Sequence, residues 1–291
     1  MKFNHLLVSS DMQAIIEVEG LARPLTIFHL TDCHMNETDD REGAGALVES
    51  IRAYGLDALD TRHRFERTLA YADEYAVDCV TLTGDAVNGA TQGNLDYLTG
   101  RLEALQAPYL YTPGNHDWEY PFEPWSEETR KAQYSKFDRL TEGNPAFRAL
   151  TLQGVDLLAV DNSTYQITDE QLSFVEKRLA CGAPTLLFMH IPIYVPSLLG
   201  DVMKDWNAPI MMAAEGWDPE LQAQWMVADA TPATRAFYDL LMANPHGNLM
   251  GVFCGHVHFA HTDAFGRGSC QYVTQAGFAG GYRIVRLVPL R

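Results

Sequence analysis

Short apolar runs alternate with longer amphipathic segments along this chain of 291 residues. Several runs are apolar on successive positions, which is typical of strands that are covered on both faces. The runs that predict strands are residues 25–30, 79–82, 109–111, 157–160, 185–189, 249–254, 271–274 and 282–288. Their spacing leaves room for a helix or a long connection between most neighbouring strands.

Helical patterns occupy several of these intervals. Residues 62–75 carry apolar side chains at helical spacing. Thr168 and Gln171 form a capping-box pattern, which predicts a helix that continues through Leu179. Residues 126–140 begin with acidic and end with basic side chains, as a helix dipole favours. Strands that alternate with helices predict an α/β fold.

Two stretches interrupt this alternation and are interpreted as insertions. Residues 35–59 are acidic and then rich in glycine and alanine, whereas residues 193–232 carry a cluster of tryptophan and methionine. One interpretation of the second stretch is a helical subdomain that packs on itself, and the other is a cap that shapes a substrate pocket. Without repeats or long linkers, we predict a single domain over residues 1–291, with a cap insertion at about 193–232.

The net charge of −17 argues against long nucleic acids and anionic membranes as partners, because both attract basic surfaces. No apolar run approaches the roughly 18 residues that a spanning helix needs. The apolar stretch among the first residues is too short for a secretory signal. Five widely spaced cysteines without a CxxC pair predict reduced thiols. We therefore expect a cytoplasmic protein with a small-molecule substrate; the sequence does not indicate its oligomeric state.

Metal-binding side chains follow the ends of five predicted strands. Ligands gather at the carboxyl ends of strands in open α/β sheets, so these stretches are predicted to converge in one pocket. Together they supply two carboxylates, one amide and four imidazoles, which is a complete ligand set for two divalent ions. The candidate metal ligands are Asp32, His34, Asp85, Asn115, His190, His256 and His258.

The local sequence around these residues suits a shared site. In an extended chain, residues i and i+2 point the same way, so Asp32 and His34 can bind one ion while Cys33 packs on the opposite side. His256 and His258 can project together for the same reason. A glycine, which allows close backbone approach, precedes a ligand at Gly84, Gly114 and Gly255.

The charge of such a centre points to a phosphate ester as the substrate. Two divalent ions with the carboxylates of Asp32 and Asp85 would leave a charge of about +2, which suits an anionic ester. Paired ions polarise phosphoryl oxygens and lower the pKa of a bridging water, so we expect attack by a metal-bridging hydroxide. Ligands of nitrogen and oxygen without thiolate favour Mn, Fe, Zn, Ni or Co.

In this order, Asp-x-His, Gly-Asp, Gly-Asn-His-Asp, a lone His and Gly-His-x-His resemble the motifs of the calcineurin-like metallophosphoesterases. The motifs extend from Asp32 to His258. The Gly-Asn-His-Asp form is similar to that of the cyclic-nucleotide phosphodiesterase and purple-acid-phosphatase-like branches. The resemblance implies a four-layer α/β/β/α sandwich that hydrolyses a phosphomonoester or a phosphodiester with two bound metal ions.

The resemblance also implies a role for each motif residue. One ion would be bound by Asp32, His34, Asp85 and His258. The second would be bound by Asp85, as the bridging ligand, with Asn115, His190 and His256. His116 would contact the phosphate or protonate the leaving group, and Asp117 would orient His116 through a hydrogen bond.

Other polar residues near strand ends have no role in these motifs. Asn88, three residues after Asp85, is interpreted as a loop or phosphate-contact residue. Asp161 and Asn162 follow the predicted strand 157–160, and we interpret them as a turn.

The main alternative is a non-catalytic scaffold that keeps the same fold and binds metal. Other hydrolase classes fit less well. The sequence lacks the His-x-His-x-Asp-His of metallo-β-lactamase-like enzymes and any Gly-x-Ser-x-Gly, and its His-x-His lies near the end, unlike that of amidohydrolase barrels. Helical His-Asp phosphohydrolases would place His116 and Asp117 on a helix, whereas the run 109–111 and Pro113 predict a strand and a turn.

Overall fold

The computed structural model describes residues 1–6, 9–45, 58–118 and 126–290. These residues form two six-stranded mixed sheets that pack face to face, with helices on the outer face of each sheet. The predicted α/β/β/α sandwich is confirmed. Among the described helices, none is both long and apolar enough to cross a bilayer.

The strands are β1 (Phe3–His5), β2 (Gln13–Val18), β3 (Leu25–Leu30), β4 (Cys79–Thr83), β5 (Tyr109–Thr112), β6 (Phe147–Leu152), β7 (Val155–Val160), β8 (Thr185–Phe188), β9 (Leu249–Cys254), β10 (His261–Phe265), β11 (Ser269–Val273) and β12 (Arg283–Pro289). The first sheet has the order β1-β2-β12-β3-β4-β5, and the second has the order β10-β11-β9-β8-β7-β6. In the first sheet β3, β4 and β5 are parallel, and in the second β7, β8 and β9 are parallel.

The described α-helices are α1 (Ala58–Glu74), α2 (Gln92–Glu103), α3 (Asn115–Trp118), α4 (Glu127–Gln133), α5 (Asp138–Thr141), α6 (Asp169–Ala180), α7 (Pro196–Trp206), α8 (Pro219–Gln224) and α9 (Pro232–Ala243). The predicted capping box begins α6: the Thr168 side chain accepts from the Gln171 N–H, and the Thr168 N–H donates to the Gln171 side chain. This reciprocal pair satisfies two backbone donors that the first helical turn leaves open.

Successive residues of the central strands enter different cores, which explains their continuous apolar runs. Ile27 of β3 packs between the sheets with Phe188 and Phe253 of the second sheet. Its neighbour Phe28 packs outward in the cluster that contains Phe65 of α1. Full burial of one such side chain contributes about 1.5–3 kcal/mol. Both faces of the strand are therefore needed to stabilise the sandwich.

Four strands were not predicted, namely β1, β2, β6 and β10. Three of them lie at sheet edges, and β2 alternates between buried and more exposed positions. Such strands lack a continuous apolar run, so the pattern that finds central strands does not find them. The predicted bounds of β3 and β9 agree with the structure.

The prediction of one helix over residues 126–140 was wrong, because α4 gives way to a 3-10 turn at Tyr134–Phe137 before α5 begins. Ser126 caps α4 by accepting from the Thr129 N–H at 3.2 Å. In the tighter turn the Tyr134 hydroxyl donates to Asp161 at 2.6 Å, and Phe137 is fully buried. Contacts with the body of the protein thus override the local helical preference.

The two predicted insertions differ in how much of them is described. Residues 46–57 of the first insertion, 35–59, lie outside the described residues. The second, 193–232, contains α7 and α8, and its Leu198, Val202 and Met212 join the core on the outer face of the second sheet. This stretch therefore packs against the sheet as well as on itself.

Candidate metal centre

The candidate ligands meet where strands of both sheets end. Asp32 follows β3, Asp85 follows β4, and Asn115 begins α3 just after β5. His190 follows β8 and His256 follows β9, both from the second sheet. The topology thus brings all five predicted stretches to one place between the sheets, as the sequence predicted.

The charged and imidazole ligands form two groups, and the ligand atoms within each group all lie within 4.8 Å of one another. The first group consists of Asp32, His34, Asp85 and His258. The second group consists of Asp85, His190 and His256. Asp85 belongs to both groups, which is the position expected of a carboxylate that bridges two ions.

Asp85 Oδ2 lies 3.1 Å from His190 Nε2 and 3.7 Å from His34 Nε2, so one carboxylate oxygen faces both groups. On the other side of the first group, His258 Nε2 lies 3.4 Å from Asp32 Oδ1. The same nitrogen lies 3.2 Å from His34 Nε2. These donor atoms therefore point at a common centre.

Hydrogen bonds on the far side of the rings set the direction of two imidazoles. His34 Nδ1 lies 2.8 Å from the Asn88 side-chain oxygen, and His190 Nδ1 donates to the Thr83 carbonyl at 2.7 Å. Each bond holds Nδ1 and thereby points Nε2 of the same ring at the ligand group, as outer hydrogen bonds of metal-binding histidines do. Asn88 therefore positions His34, a role that the sequence interpretation missed because nothing in its local spacing indicates this contact.

Five ligands have left-handed backbones, with φ of 52° at Asp32, 48° at His34, 48° at Asp85, 69° at His256 and 65° at His258. Such conformations cost about 1–3 kcal/mol each in non-glycine residues and concentrate at functional sites. The extended-chain argument for the i and i+2 ligands was therefore wrong. Left-handed turns, rather than strand alternation, direct each pair into the site.

Glycines allow the loops of the two sheets to touch. A Cβ on Gly255 would lie 1.9 Å from Thr31 Oγ1 and 2.1 Å from Asp32 Oδ2, and one on Gly114 would lie 2.2 Å from Asp85 Oδ1. The space next to Gly255 is used by a hydrogen bond across the sheets, since the His256 N–H donates to Asp32 Oδ2 at 2.9 Å. The close approach predicted for these glycines is confirmed.

Both buried carboxylates are held in the charged form. Burial raises the pKa of Asp32, but the hydrogen bond and charge of His258 outweigh it and bring the pKa to about 2. Burial also raises the pKa of Asp85, and the neighbouring His190 and His116 lower it well below its usual value. Two ionised carboxylates in a buried site require compensating positive charge.

The imidazoles respond to the same environment. Burial lowers the pKa of His34 and of His256, so both rings are neutral, as metal ligands must be. Burial acts in the same direction on His190, but the Asp85 carboxylate outweighs it and raises the His190 pKa to about 10.

Asn115 supports the assignment of a metal site by a separate observation. Its side-chain oxygen is buried and has no hydrogen-bond partner among the described residues. A buried acceptor without a donor costs about 1–3 kcal/mol. It lines the same cavity as Asp85 and His256, so a cation there would satisfy it. Carboxylate, amide and imidazole donors together fit Mn, Fe, Zn, Ni or Co.

His116 lies beside the ligands on α3, a helix of four residues, so the non-helical turn predicted here was wrong. The backbone N–H of His116 donates to Asp85 Oδ1 at 2.9 Å, and the His116 ring packs edge-on against His34 with centroids 4.9 Å apart. Burial lowers the pKa of His116 to about 4, so its imidazole is neutral near pH 7. His116 lines the same cavity as Asn115.

Asp117 holds the turn that carries His116. One carboxyl oxygen accepts from the Gly114 N–H at 2.7 Å, and the other accepts from the Val87 N–H at 2.9 Å. Burial and the charge of Asp85 raise the pKa of Asp117 to about 7. These bonds join the loops after β4 and β5, and the predicted hydrogen bond from Asp117 to His116 stays a prediction.

A cavity of about 220 Å³ opens onto the ligands. One wall, which we call the ligand wall, consists of Asp85, Asn115, His116, His256 and His258. A second wall consists of Trp206, Ile210, Gln224, Trp225 and Met226. The second wall comes entirely from the stretch 193–232, which we call the insertion wall.

The insertion wall is tied to the loop that carries two of the ligands. The Trp206 indole N–H donates to the Val257 carbonyl at 2.9 Å, and its ring packs edge-on against His258 with centroids 5.2 Å apart. Trp225 packs edge-on against Trp206 at 5.9 Å. The aromatic pair thus lies directly beside a candidate ligand.

The fold and the two groups of candidate metal ligands agree with the sequence comparison. Residues 25–260 match the calcineurin-like phosphoesterase family, so the chain belongs to that family. The family consists of metal-dependent hydrolases of phosphoesters, and the two groups around Asp85 are the candidate metal-binding cluster of this member.

Two curated relatives match about two thirds of the chain. A probable cyclic nucleotide phosphodiesterase of Fibrobacter succinogenes is 25% identical over 192 residues, which are 66% of this chain and 65% of the relative. A probable glycerophosphodiester phosphodiesterase of Arcobacter nitrofigilis is 23% identical over 192 residues, which are 64% of this chain and 58% of the relative. The chain therefore spans less than two thirds of either relative.

Solved structures share the fold at low identity. A dimetal phosphatase from Danio rerio superposes with a TM-score of 0.53 at 11% identity, covering 87% of this chain and 88% of its own. A purple acid phosphatase from yellow lupin seeds gives 0.54 at 15% identity, covering 92% and 46%. At these identities the similarity shows the architecture alone.

Proposed function

We propose that this protein hydrolyses small phosphodiesters with two divalent metal ions bound between its sheets. The observation that carries the proposal is the pair of ligand groups that share Asp85. A second divalent ion is needed to use both groups, since each offers a separate set of imidazoles. The buried acceptor of Asn115 adds an oxygen ligand beside them.

One ion would be held by Asp32, His34, Asp85 and His258, and the other by Asp85, Asn115, His190 and His256. Two such ions would polarise the phosphoryl oxygens and supply a water of lowered pKa as the nucleophile near neutral pH. Asn88 and Thr83 would keep the rings of His34 and His190 in the binding orientation.

His116 would act on the substrate itself. It lies beside Asp85 and Asn115 on the cavity wall, and its neutral ring can donate one N–H to a phosphoryl oxygen or to the leaving oxygen. Asp117 would serve this step indirectly, because its two backbone hydrogen bonds hold the turn on which His116 sits.

The insertion wall supports a diester rather than a monoester. Trp206, Ile210 and Trp225 add apolar surface to the cavity that contains the ligands, and none of the described residues lining the cavity is lysine or arginine. A diester carries one negative charge and a second organic substituent, which suits a metal centre facing an apolar wall. Both curated relatives are named as phosphodiesterases, in agreement with this choice.

The wall also gives the stretch 193–232 the role of a cap. It would exclude water from the ester and contact its organic group, whereas the small cavity of about 220 Å³ would exclude large substrates. The net charge of −17 further disfavours long polyanions such as nucleic acids.

The test combines metal analysis with a matched pair of substrates. We expect two bound ions per chain, and we expect bis(p-nitrophenyl) phosphate to be hydrolysed with a kcat/KM about tenfold or more above that of p-nitrophenyl phosphate. A protein that hydrolyses neither ester would be a scaffold, whether or not it binds metal. Faster hydrolysis of the monoester would contradict the diester assignment.

A further inference from the structure

The loop 161–165 follows β7 and contacts ligands of the second group. None of its residues belongs to the motifs that carry the family resemblance. The Tyr165 hydroxyl lies 2.8 Å from His256 Nε2. The side-chain oxygen of Asn162 accepts from the backbone N–H of His190 at 3.2 Å and of Ile191 at 3.0 Å. The loop therefore contacts both histidines of that group.

We propose that Tyr165 is a positioning residue for His256, and that the loop 161–165 thereby controls the affinity of the second metal site and not of the first. The inference rests on the proposed two-metal function and adds a residue to it. Asn162, which the sequence interpretation assigned to a turn with Asp161, also accepts a hydrogen bond from the His190 backbone.

The orientation of the His256 ring supports this role. Its Nδ1 lies 3.3 Å from His190 Nε2, on the side of the second group, whereas Nε2 faces Tyr165. An imidazole that binds a cation through Nδ1 carries its proton on Nε2, and that N–H donates to the Tyr165 hydroxyl oxygen. The hydrogen bond thus selects the tautomer and the ring direction that binding requires.

Tyr165 is itself held firmly in place. Its side chain is buried and packs edge-on against His256, with ring centroids 5.5 Å apart. Its backbone has φ of 63°, and its N–H donates to the Asn162 carbonyl at 2.8 Å. A left-handed backbone at an aromatic residue is strained and persists only where the surrounding structure holds it in place.

The first group relies on different neighbours. Asn88 orients His34, and Trp206 packs on His258. The hydroxyl of Tyr165 also lies on the side of His256 away from His190, so it acts through His256 rather than as a ligand. Removal of this hydroxyl is therefore expected to affect one site selectively.

The decisive variant is Tyr165→Phe, which keeps the ring and removes only the hydroxyl. In a competition titration with a chelator and Mn²⁺, the wild type should bind two ions. The variant should keep one affinity unchanged and lose about 10–100-fold in the other. Its turnover should fall at limiting Mn²⁺ and recover when Mn²⁺ is raised by about the same factor.

Tyr238→Phe is the matched control, since the Tyr238 hydroxyl donates to the Tyr194 carbonyl at 3.0 Å instead of contacting a ligand. Both of its metal affinities should equal those of the wild type. Unchanged affinities in Tyr165→Phe, or equal losses at both sites, would overturn the inference. A wild type that binds fewer than two ions would instead refute the two-metal function.

A second measurement needs no variant and so does not depend on how Tyr165→Phe folds. In ¹⁵N-labelled wild-type protein titrated with Zn²⁺, the ring shifts of His256 should report a proton on Nε2 and none on Nδ1. A proton on Nδ1 in the Zn²⁺-loaded protein would contradict the proposed hydrogen bond to Tyr165.

Discussion

The two walls of the cavity are built in opposite ways. On the ligand wall, Asp85 is almost fully buried, has a left-handed backbone and accepts a hydrogen bond from the backbone N–H of His116. On the insertion wall, Trp206 and Trp225 are partly buried and Met226 is 52% exposed. The first wall is held by hydrogen bonds and close backbone contacts, whereas the second is held mainly by apolar packing.

In the proposed function, the ligand wall would carry out catalysis and the insertion wall would select the substrate. Metal ligands must lie within a few tenths of an ångström of their productive positions, so strained backbones and close glycine contacts are retained there. An apolar wall tolerates changes of side chain because its contacts are not directional. We therefore expect large, specific losses from changes on the ligand wall and graded changes in substrate preference from the insertion wall.

The largest effect on the ligand wall is expected for Asp85→Ala, which removes the ligand shared by both groups. Both ions should be lost, and turnover should fall about 10³-fold or more, because metal catalysis supplies several kcal/mol. Elemental analysis and kcat/KM measure the two effects. Asp96→Ala, at an exposed position that pairs with Arg41, should leave both unchanged. Retention of two ions in Asp85→Ala would refute the bridging role.

The next largest effect is expected for His116→Ala. Turnover should fall about 10²–10⁴-fold, as for loss of a proton donor, while the metal content stays at the wild-type value. The control His63→Ala removes an exposed histidine of α1 and should leave turnover and metal content unchanged. Normal turnover in His116→Ala would show that the ring does not act on the ester.

Gly255→Ala examines the close contact between the sheets. The added Cβ would lie 1.9 Å from Thr31 Oγ1, so the loop must shift, and the free energy of unfolding should fall by about 1–3 kcal/mol. Gly100→Ala in α2 meets no atom within 4 Å and should stabilise by up to about 1 kcal/mol. Urea denaturation compares the two. Equal stabilities would mean that the contact is relaxed in solution.

The smallest effect is expected on the insertion wall, for Trp225→Ala. The metal content should not change, but the preference between substrates should. The ratio of kcat/KM for bis(p-nitrophenyl) phosphate to that for methyl p-nitrophenyl phosphate should fall about tenfold, because the lost contact touches only the second substituent. Trp217→Ala, which lines a neighbouring cavity, should keep the wild-type ratio. An unaltered ratio in Trp225→Ala would remove the insertion wall from substrate selection.

Much of the candidate metal centre was predictable because its signals are local. Asp32, His190 and His256 each follow an apolar run, and residues in such a position converge in any α/β sandwich. The edge strands and the break after α4 were not predictable from the same pattern. Half-exposed strands lack a continuous apolar signal, and the 3-10 turn at Tyr134–Phe137 depends on the distant Asp161.

The sequence by itself determined the α/β architecture and the candidate ligands, because buried strands and metal-binding side chains leave a mark within a few neighbouring residues. Only the tertiary structure decided which residues orient those ligands. Asn88 reaches His34 across 54 positions, and Tyr165 reaches His256 across 91. Such contacts depend on where loops meet after the sheets have packed, and no local pattern of polar and apolar residues records that.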